Sequence, residues 1–299
     1  MSNDPSFELV GIKTNITEKE VRKRKTTCAL KGKPFISIGI FSLIAFGCLF
    51  SEVIMNHVPT YLDLTHFNEA PNHEYYFGTD MLGRDIYSMI WYGGRVSIFI
   101  GLFATMISTI VAIIYGALSG MASKAIDNVM MRFTEILLSI PSILIIIFIQ
   151  SVIGKQNVFA IAFVIGITSW MSIAKIVRTE VRQIRNSEYV LISRCMGGGF
   201  FHILIKHLAP NFVSSIMFMA VMNISSAIAA ESTLSFLGIG LPPEIITWGS
   251  MLSLADKALL TNSWWIIVVP GIYLITTLVC ITNIGNYVRK KINNKQRNL

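Results

Sequence analysis

Two carboxylates and a guanidinium stand close together in Phe77-Gly-Thr-Asp80-Met-Leu-Gly83-Arg84-Asp85. An Asp after Gly-Thr forms an Asx turn, and Arg84 can pair with a carboxylate. No nucleophile or base accompanies them at a telling spacing, so the trio reads as structural rather than catalytic. His57, His66 and His73, with Glu69 and Glu74, are the right types to bind a divalent metal. Their irregular spacing in a polar segment reads instead as solvated side chains, and no metal site is expected. Cys28, Cys48, Cys195 and Cys280 show no CxxC spacing and no His partners, so neither zinc nor a disulfide framework is signalled. No G-x-x-x-x-G-K-[ST] loop occurs, which leaves the chain without recognisable equipment for hydrolysing ATP. Glu231 is different: it is an acid in a long apolar stretch, where an ionisable group is expensive and must face protein or water.

The elements that must hold these residues follow from composition. The 299 residues are 53% hydrophobic and 14% charged, against about 25% charged in a typical soluble domain. The chain reads as an all-α, polytopic membrane protein. About 20 apolar residues cross a hydrocarbon core, and six runs qualify: 35–55, 96–121, 133–153, 158–174, 212–237 and 264–288. The first run is too long for a signal-peptide core and lacks a small-residue cleavage site, so it is expected to remain as a span. Of the 25 Lys and Arg, all but Arg84, Arg95, Lys155 and Lys257 then fall on one side, which is the cytoplasm. The division is a cytoplasmic tail 1–33, a six-span domain 34–288 and a cytoplasmic tail 289–299. The net charge of +8 is thereby a matter of topology, with no nucleic-acid surface implied. Basic residues 22–25 would also favour anionic lipid headgroups.

Segment 175–210 carries the densest pattern. Lys175, Arg178, Arg182 and Arg185 recur at helical spacing and extend the fourth span into the cytoplasm with one basic face. Asn186 and Ser187 can cap a new short helix with Glu188 in its first turn. Gly197-Gly198-Gly199 ends it, Phe201, Leu204, Ile205 and Leu208 outline a second amphipathic helix, and Pro210 stops that one. The knob exposes Tyr189, Ile192 and Met196, which need a partner, either protein or a lipid surface. In the second span, Ala112, Gly116 and Gly120 place small residues on one face, as close helix packing requires. Ser232 or Thr233 are the nearest hydroxyls to assist Glu231.

Glu188-Tyr-Val-Leu-Ile-Ser-Arg-Cys-Met-Gly197, followed by Ile203-Leu-Ile-Lys-His-Leu-Ala-Pro210-Asn211, resembles the "EAA" loop of ABC importer permeases. Ile192 and Ser193 stand where that family has paired alanines, and Ala209 where it has leucine. The segment Phe77 to Asp85, with Ser88 and Gly93-Gly-Arg95-Val-Ser97, is similar to the outer segment of the dipeptide/oligopeptide/nickel permeases, Met89 replacing an arginine. The approach to the third span from Asp127 to Pro141 also matches, with Glu135 for an aspartate. So do Glu231-Ser-Thr-Leu-Ser-Phe-Leu-Gly238-Ile-Gly240, Pro242-Pro243 and Trp248-Gly249-Ser-Met-Leu252. The arrangement is closest to the "C"-type member of the permease pair.

The resemblance implies a type I ABC importer permease fold in the cell membrane, both termini cytoplasmic, with a coupling helix between spans four and five. It implies that Glu188, Tyr189, Ile192, Ser193, Met196 and Gly197 dock an ATPase. Asp80, Gly83, Arg84 and Asp85 would contact, or scaffold contact with, an extracytoplasmic solute-binding protein, and Glu231 would be a pathway or gate residue. The implied partners are a second permease, two ATPases and membrane lipid. No cofactor is expected on this chain, with ATP and Mg on the partners. The implied cargo is di- or oligopeptide, with nickel or a metal chelate as the alternative. A stand-alone secondary transporter is the rival class, for which only Glu231 is a candidate coupling carboxylate.

Overall fold

The computed structural model describes residues 34–154, 157–203, 205–206 and 209–296. The expected tail 1–33, Lys155, Leu204, Leu208 and Arg297 lie outside the described residues. The described residues are helical and form no strand, with one isolated bridge between Thr79 and Asp85. The first apolar run becomes α1 (Phe35–Leu49) and α2 (Ser51–Ile54), interrupted only at Phe50.

The spine of the molecule is α3 (Ile86–Met121), 36 residues and so about 54 Å long. It begins ten residues earlier than the second apolar run, because Asp85 caps it. The Asp85 carboxylate accepts from the Tyr87 and Ser88 backbone N–H groups at 3.2 and 3.1 Å. Gly93 and Gly94 then lie inside a helix, where glycine costs about 1 kcal/mol each. Their lack of a side chain admits neighbours: a Cβ on Gly94 would stand 2.5 Å from the Trp248 ring.

Two expected spans are broken rather than straight. The third divides into α4 (Lys124–Ser139) and α5 (Ser142–Ile153), bent by 92°. Pro141 is the cause: it forces the residue before it out of helical conformation, and Ile140 is extended (φ −91, ψ 132). Fifteen residues upstream the sequence is charged and amphipathic, which makes α4 a different kind of helix from apolar α5. The fourth run divides into α6 (Val158–Thr168) and α7 (Met171–Ile184), bent by 45°. There Thr168 and Ser169 turn their hydroxyls onto the Val164 and Ile165 carbonyls, at 2.9 and 2.7 Å, a back-bonding that bends helices.

After α8 (Glu188–Cys195) and the single turn α9 (Phe200–Ile203), α10 spans Ala209–Phe236. Pro210 therefore opens α10 instead of ending the element before it, in a first turn where a missing N–H is tolerated. Two short helices, α11 (Trp248–Leu252) and α12 (Ala255–Leu260), precede α13 (Trp265–Gln296), which runs on past residue 288. Among the described residues three stretches are long and apolar enough to cross a membrane alone: α3, residues 216–236 of α10, and residues 265–291 of α13.

Buried apolar clusters follow α3 from end to end. Ile90, Trp91 and Trp248 pack with Cys48 near its start. Ile100 and Ala104 meet Ile161 and Ile165 at its middle. Ala112 and Ala117 meet Ala174, Val177, Val181 and Val190 near its finish. The small-residue face acts there as expected: a Cβ on Gly116 would stand 2.6 Å from the Ala174 carbonyl, so the backbones of α3 and α7 approach closely.

Candidate functional site

The finish of α3 carries the knob. Arg178, Arg182 and Arg185 do not form a free basic face. Arg178 makes a bidentate pair with Asp127 of α4, its Nε at 2.9 Å from Oδ1 and an Nη on Oδ2. Arg182 reaches the same carboxylate at 2.9 Å, and the Ser119 hydroxyl donates to it at 2.6 Å. Arg185 donates to the Gly120 carbonyl at 3.0 Å, satisfying an orphan group at the end of α3. Held this way, α7 delivers the chain into α8. Val190 of α8 and Ile203 of α9 are fully buried anchors against the α3–α7 cluster. The opposite face of α8 leaves apolar side chains exposed: Ile192 is 59% exposed, Leu191 is exposed, and Met196, just past the end of the helix, is 83% exposed. Gly197 has φ +85, a conformation L side chains rarely adopt. An open groove of about 570 Å³ is lined by Tyr189, Ile192, Ser193, Met196, His202 and Lys206. Glu188 lies in the first turn of α8.

The start of α3 is the reverse: its polar groups answer one another. Asp80, almost fully buried, accepts from the Leu82 and Arg84 backbone N–H groups at 2.8 and 2.9 Å, and from Arg84 Nε at 2.7 Å. The Arg84 side chain is only 12% exposed. Gly83 has φ +70, and a Cβ there would fall on the Asp63 carbonyl. Asp85 is spent on capping α3, and Ser88, which bonds it, also accepts from the Asn56 and His57 backbone N–H groups at 3.1 Å each. His73 is exposed as its spacing implies, while His57 and His66 are less solvated. The His57 ring stacks on Tyr75 with centroids 5.0 Å apart, and His66 Nδ1 lies 2.9 Å from Asp63. Among the described residues no three His, Cys, Asp or Glu gather as a metal site.

Glu231, one and a half turns from the end of α10, is fully buried. Ser235 and Thr247 donate to one carboxylate oxygen at 2.8 Å each. Ser97 of α3 and Ser232 stand at 3.4 and 3.5 Å from the other. Thr233, one of the two expected helpers, instead bonds the Ala229 carbonyl. The acid thus ties α10 to α3 and to the capping residue of α11. The sequence had no signal for Thr247 as a partner, since only the chain's return through 242–247 brings it there.

A family profile described as binding-protein-dependent transport system inner membrane component matches residues 109–294, which include α8 and Glu231. The chain is 33% identical over 276 residues to the dipeptide transport system permease protein DppC of Bacillus subtilis, covering 92% of this chain and 84% of that one. The oligopeptide transport system permease protein OppC of the same organism is 34% identical over 262 residues, covering 88% and 85%. OppC of Haemophilus influenzae is 34% identical over 260 residues, covering 85% and 83%. The chain belongs to the binding-protein-dependent transport system inner membrane component family. As a member of that family with apolar helices, it is a multi-pass membrane protein, and the likeness to C-type peptide permeases covers most of its length. The inner membrane component family generally supplies permease subunits rather than catalysts, in keeping with the lack of a phosphate-binding loop.

Proposed function

We propose that this chain is one permease subunit of an ATP-driven importer of di- or oligopeptides. In this reading it has six membrane crossings, counting α1–α2 and each bent pair as one, and both termini are cytoplasmic. It forms half of the pathway with a second permease, α8 docks a cytoplasmic ATPase, and the Asp80 end receives cargo from a solute-binding protein. The observation that carries the reading is α8: an apolar face left bare on a helix whose other face is firmly anchored, in a chain with no nucleotide site of its own. A bare apolar face adjoining a groove is what a partner covers.

Tyr189, Ile192, Ser193, Met196 and Gly197 are the proposed contacts, with Glu188 opening the helix. ATP bound more tightly by the closed ATPase pair than by the open pair supplies the differential energy that moves α8. Asp80, Gly83, Arg84 and Asp85 act as scaffold, because their polar groups are already occupied within the turn. Glu231 acts as a latch at the outer end of α10, joining two helices and the α11 cap. The pathway is proposed to run along α10. Between Phe218 and Ser235 that helix exposes no large aliphatic side chain, and its outward positions include Ser226 and Thr233. The exposed faces of α3 and α13 carry Leu102, Ile110, Ile272 and Ile275 instead, as suits lipid.

The test is the composition and activity of the complex recovered from native membranes in mild detergent. Two nucleotide-binding ATPases, a second permease and ATP-dependent uptake of peptide in proteoliposomes are expected. Recovery of the chain alone, or uptake without ATPases, would return the secondary transporter. Peptide and nickel uptake measured side by side separate the two cargoes.

A further inference from the structure

We propose that Asp127 is the positioning residue through which movement of α7 and α8 reaches the Pro141 elbow and α5; this rests on the docking role of α8. The argument begins with how weakly α4 is otherwise held. Its residues Ile126, Val129, Phe133 and Ile136 are exposed, and only Asp127 and Thr134 are buried. Apolar burial therefore does little to bind α4 to its neighbours. Polar ties do the work, at two points. Near its middle, the Tyr115 hydroxyl of α3 donates to the Met130 carbonyl at 2.8 Å, and Thr134 lies 3.4 Å from that hydroxyl. Near its start, Asp127 holds Arg178 and Arg182 of α7 and Ser119 of α3.

The second tie is the stronger, since charge-assisted and bidentate bonds exceed neutral ones about twofold. It is also the one on the moving side. Val190 of α8 packs in one buried cluster with Val177 and Val181 of α7, so α7 and α8 shift together, and Arg185 bonds the Gly120 and Ala122 carbonyls at the end of α3 as a pivot. At its far end α4 meets a joint without a helical hydrogen-bond ladder: Ile140 and Pro141 are both extended, and α5 departs at 92°. A pull on α7 is thus handed to α4 through one carboxylate, and α4 can swing α5 about Pro141. Without the carboxylate, Arg178 and Arg182 of α7 lose their counter-charge on α4, and the charge-assisted tie between the two helices is gone.

The experiment uses the assembled transporter in proteoliposomes, with native cysteines replaced by alanine. Spin labels on exposed Gln183 of α7 or exposed Phe148 of α5 are each paired with one on exposed Ile110 of α3. Distances are read with and without ATP and vanadate. In the parent both pairs should shift; a parent in which Gln183 does not move sinks the docking reading itself. With Asp127→Asn, the Gln183 shift should persist, the Phe148 shift should vanish, and peptide uptake should fall at least tenfold. Asp127→Glu should recover part of both. Retention of the Phe148 shift, or loss of both shifts in an assembled complex, overturns the proposal. If Asp127→Asn does not assemble, Arg182→Gln decides: a reduced Phe148 shift beside a normal Gln183 shift supports the relay, and unchanged shifts at both overturn it.

Discussion

The two ends of α3 are built on opposite principles. At its start, Asp80, Arg84, Asp85 and Ser88 close on themselves, with carboxylate oxygens and backbone N–H groups paired one to another. At its finish, α8 is anchored by the buried Val190 and leaves Ile192, and Met196 just past its end, exposed. In the proposed reading the first is a surface that keeps its shape when a partner arrives and leaves, and the second is completed by the partner that covers it. Substitutions at the first should cost stability, and substitutions at the second should cost coupling while stability holds.

The largest effects are expected at the closed end. Trp248→Ala should remove about 3–5 kcal/mol, because the ring is fully buried and its N–H donates to the Ile90 carbonyl at 3.0 Å. Asp80→Ala should approach the same loss, about 3–5 kcal/mol, since it strands a mostly buried guanidinium. Both are read as a lowered unfolding temperature of the detergent-solubilised protein; an unchanged midpoint would show that the turn is not self-supporting. Next come the open-end variants. Gly197→Asp should leave insertion and the unfolding temperature near normal while ATP-dependent uptake falls at least tenfold, about 1.4 kcal/mol of coupling. Undiminished uptake with this variant counts heavily against docking by α8. Met196→Asp should do the same more mildly, reducing co-purifying ATPase severalfold, since that side chain touches little of its own subunit.

The smallest effect is one of pH, in the exposed pair at the closed end. Hydrogen bonds from the Thr65 hydroxyl and the His66 ring hold the Asp63 carboxyl down at about 2, and the Asp63 hydrogen bond raises His66 above its ordinary value. The His66 contribution is complete below its unfolded value of about 6.5 and is lost as pH climbs through the raised folded value. The Asp63 contribution is present above its unfolded value, about 3.9, and is lost as pH falls toward 2. Limited proteolysis of segment 56–85 should therefore be slightly faster at about pH 8 than at about pH 6. His66→Gln should flatten the difference.

What could be read along the chain was whatever is periodic or local. The basic residues from Lys175 to Arg185 do extend a helix, Glu188 does open the next, and Gly197 does take positive φ, each set within one or two turns. What those arginines hold could not be read, because Asp127 is 51 residues from Arg178. The same limit applies to Glu231, whose companions Ser97 and Thr247 lie 134 and 16 residues away. At 133–153 apolar length shows a run but not its bend: hydropathy sums over Pro141 as though it were any apolar residue, whereas its ring dictates the conformation of Ile140 and divides the run between α4 and α5.

Composition and apolar runs by themselves determined that this is a helical membrane protein, and the order of its motifs marked the permease family, because burial in lipid and helical spacing are imposed residue by residue. Tertiary structure alone decided which charges are spent and which surfaces stay bare. Asp127 became a clasp and Glu231 a buried tie only when distant helices were laid side by side. Ile192, and Met196 just past the helix end, stayed exposed while Val190, on the other face of α8, took the place in the core.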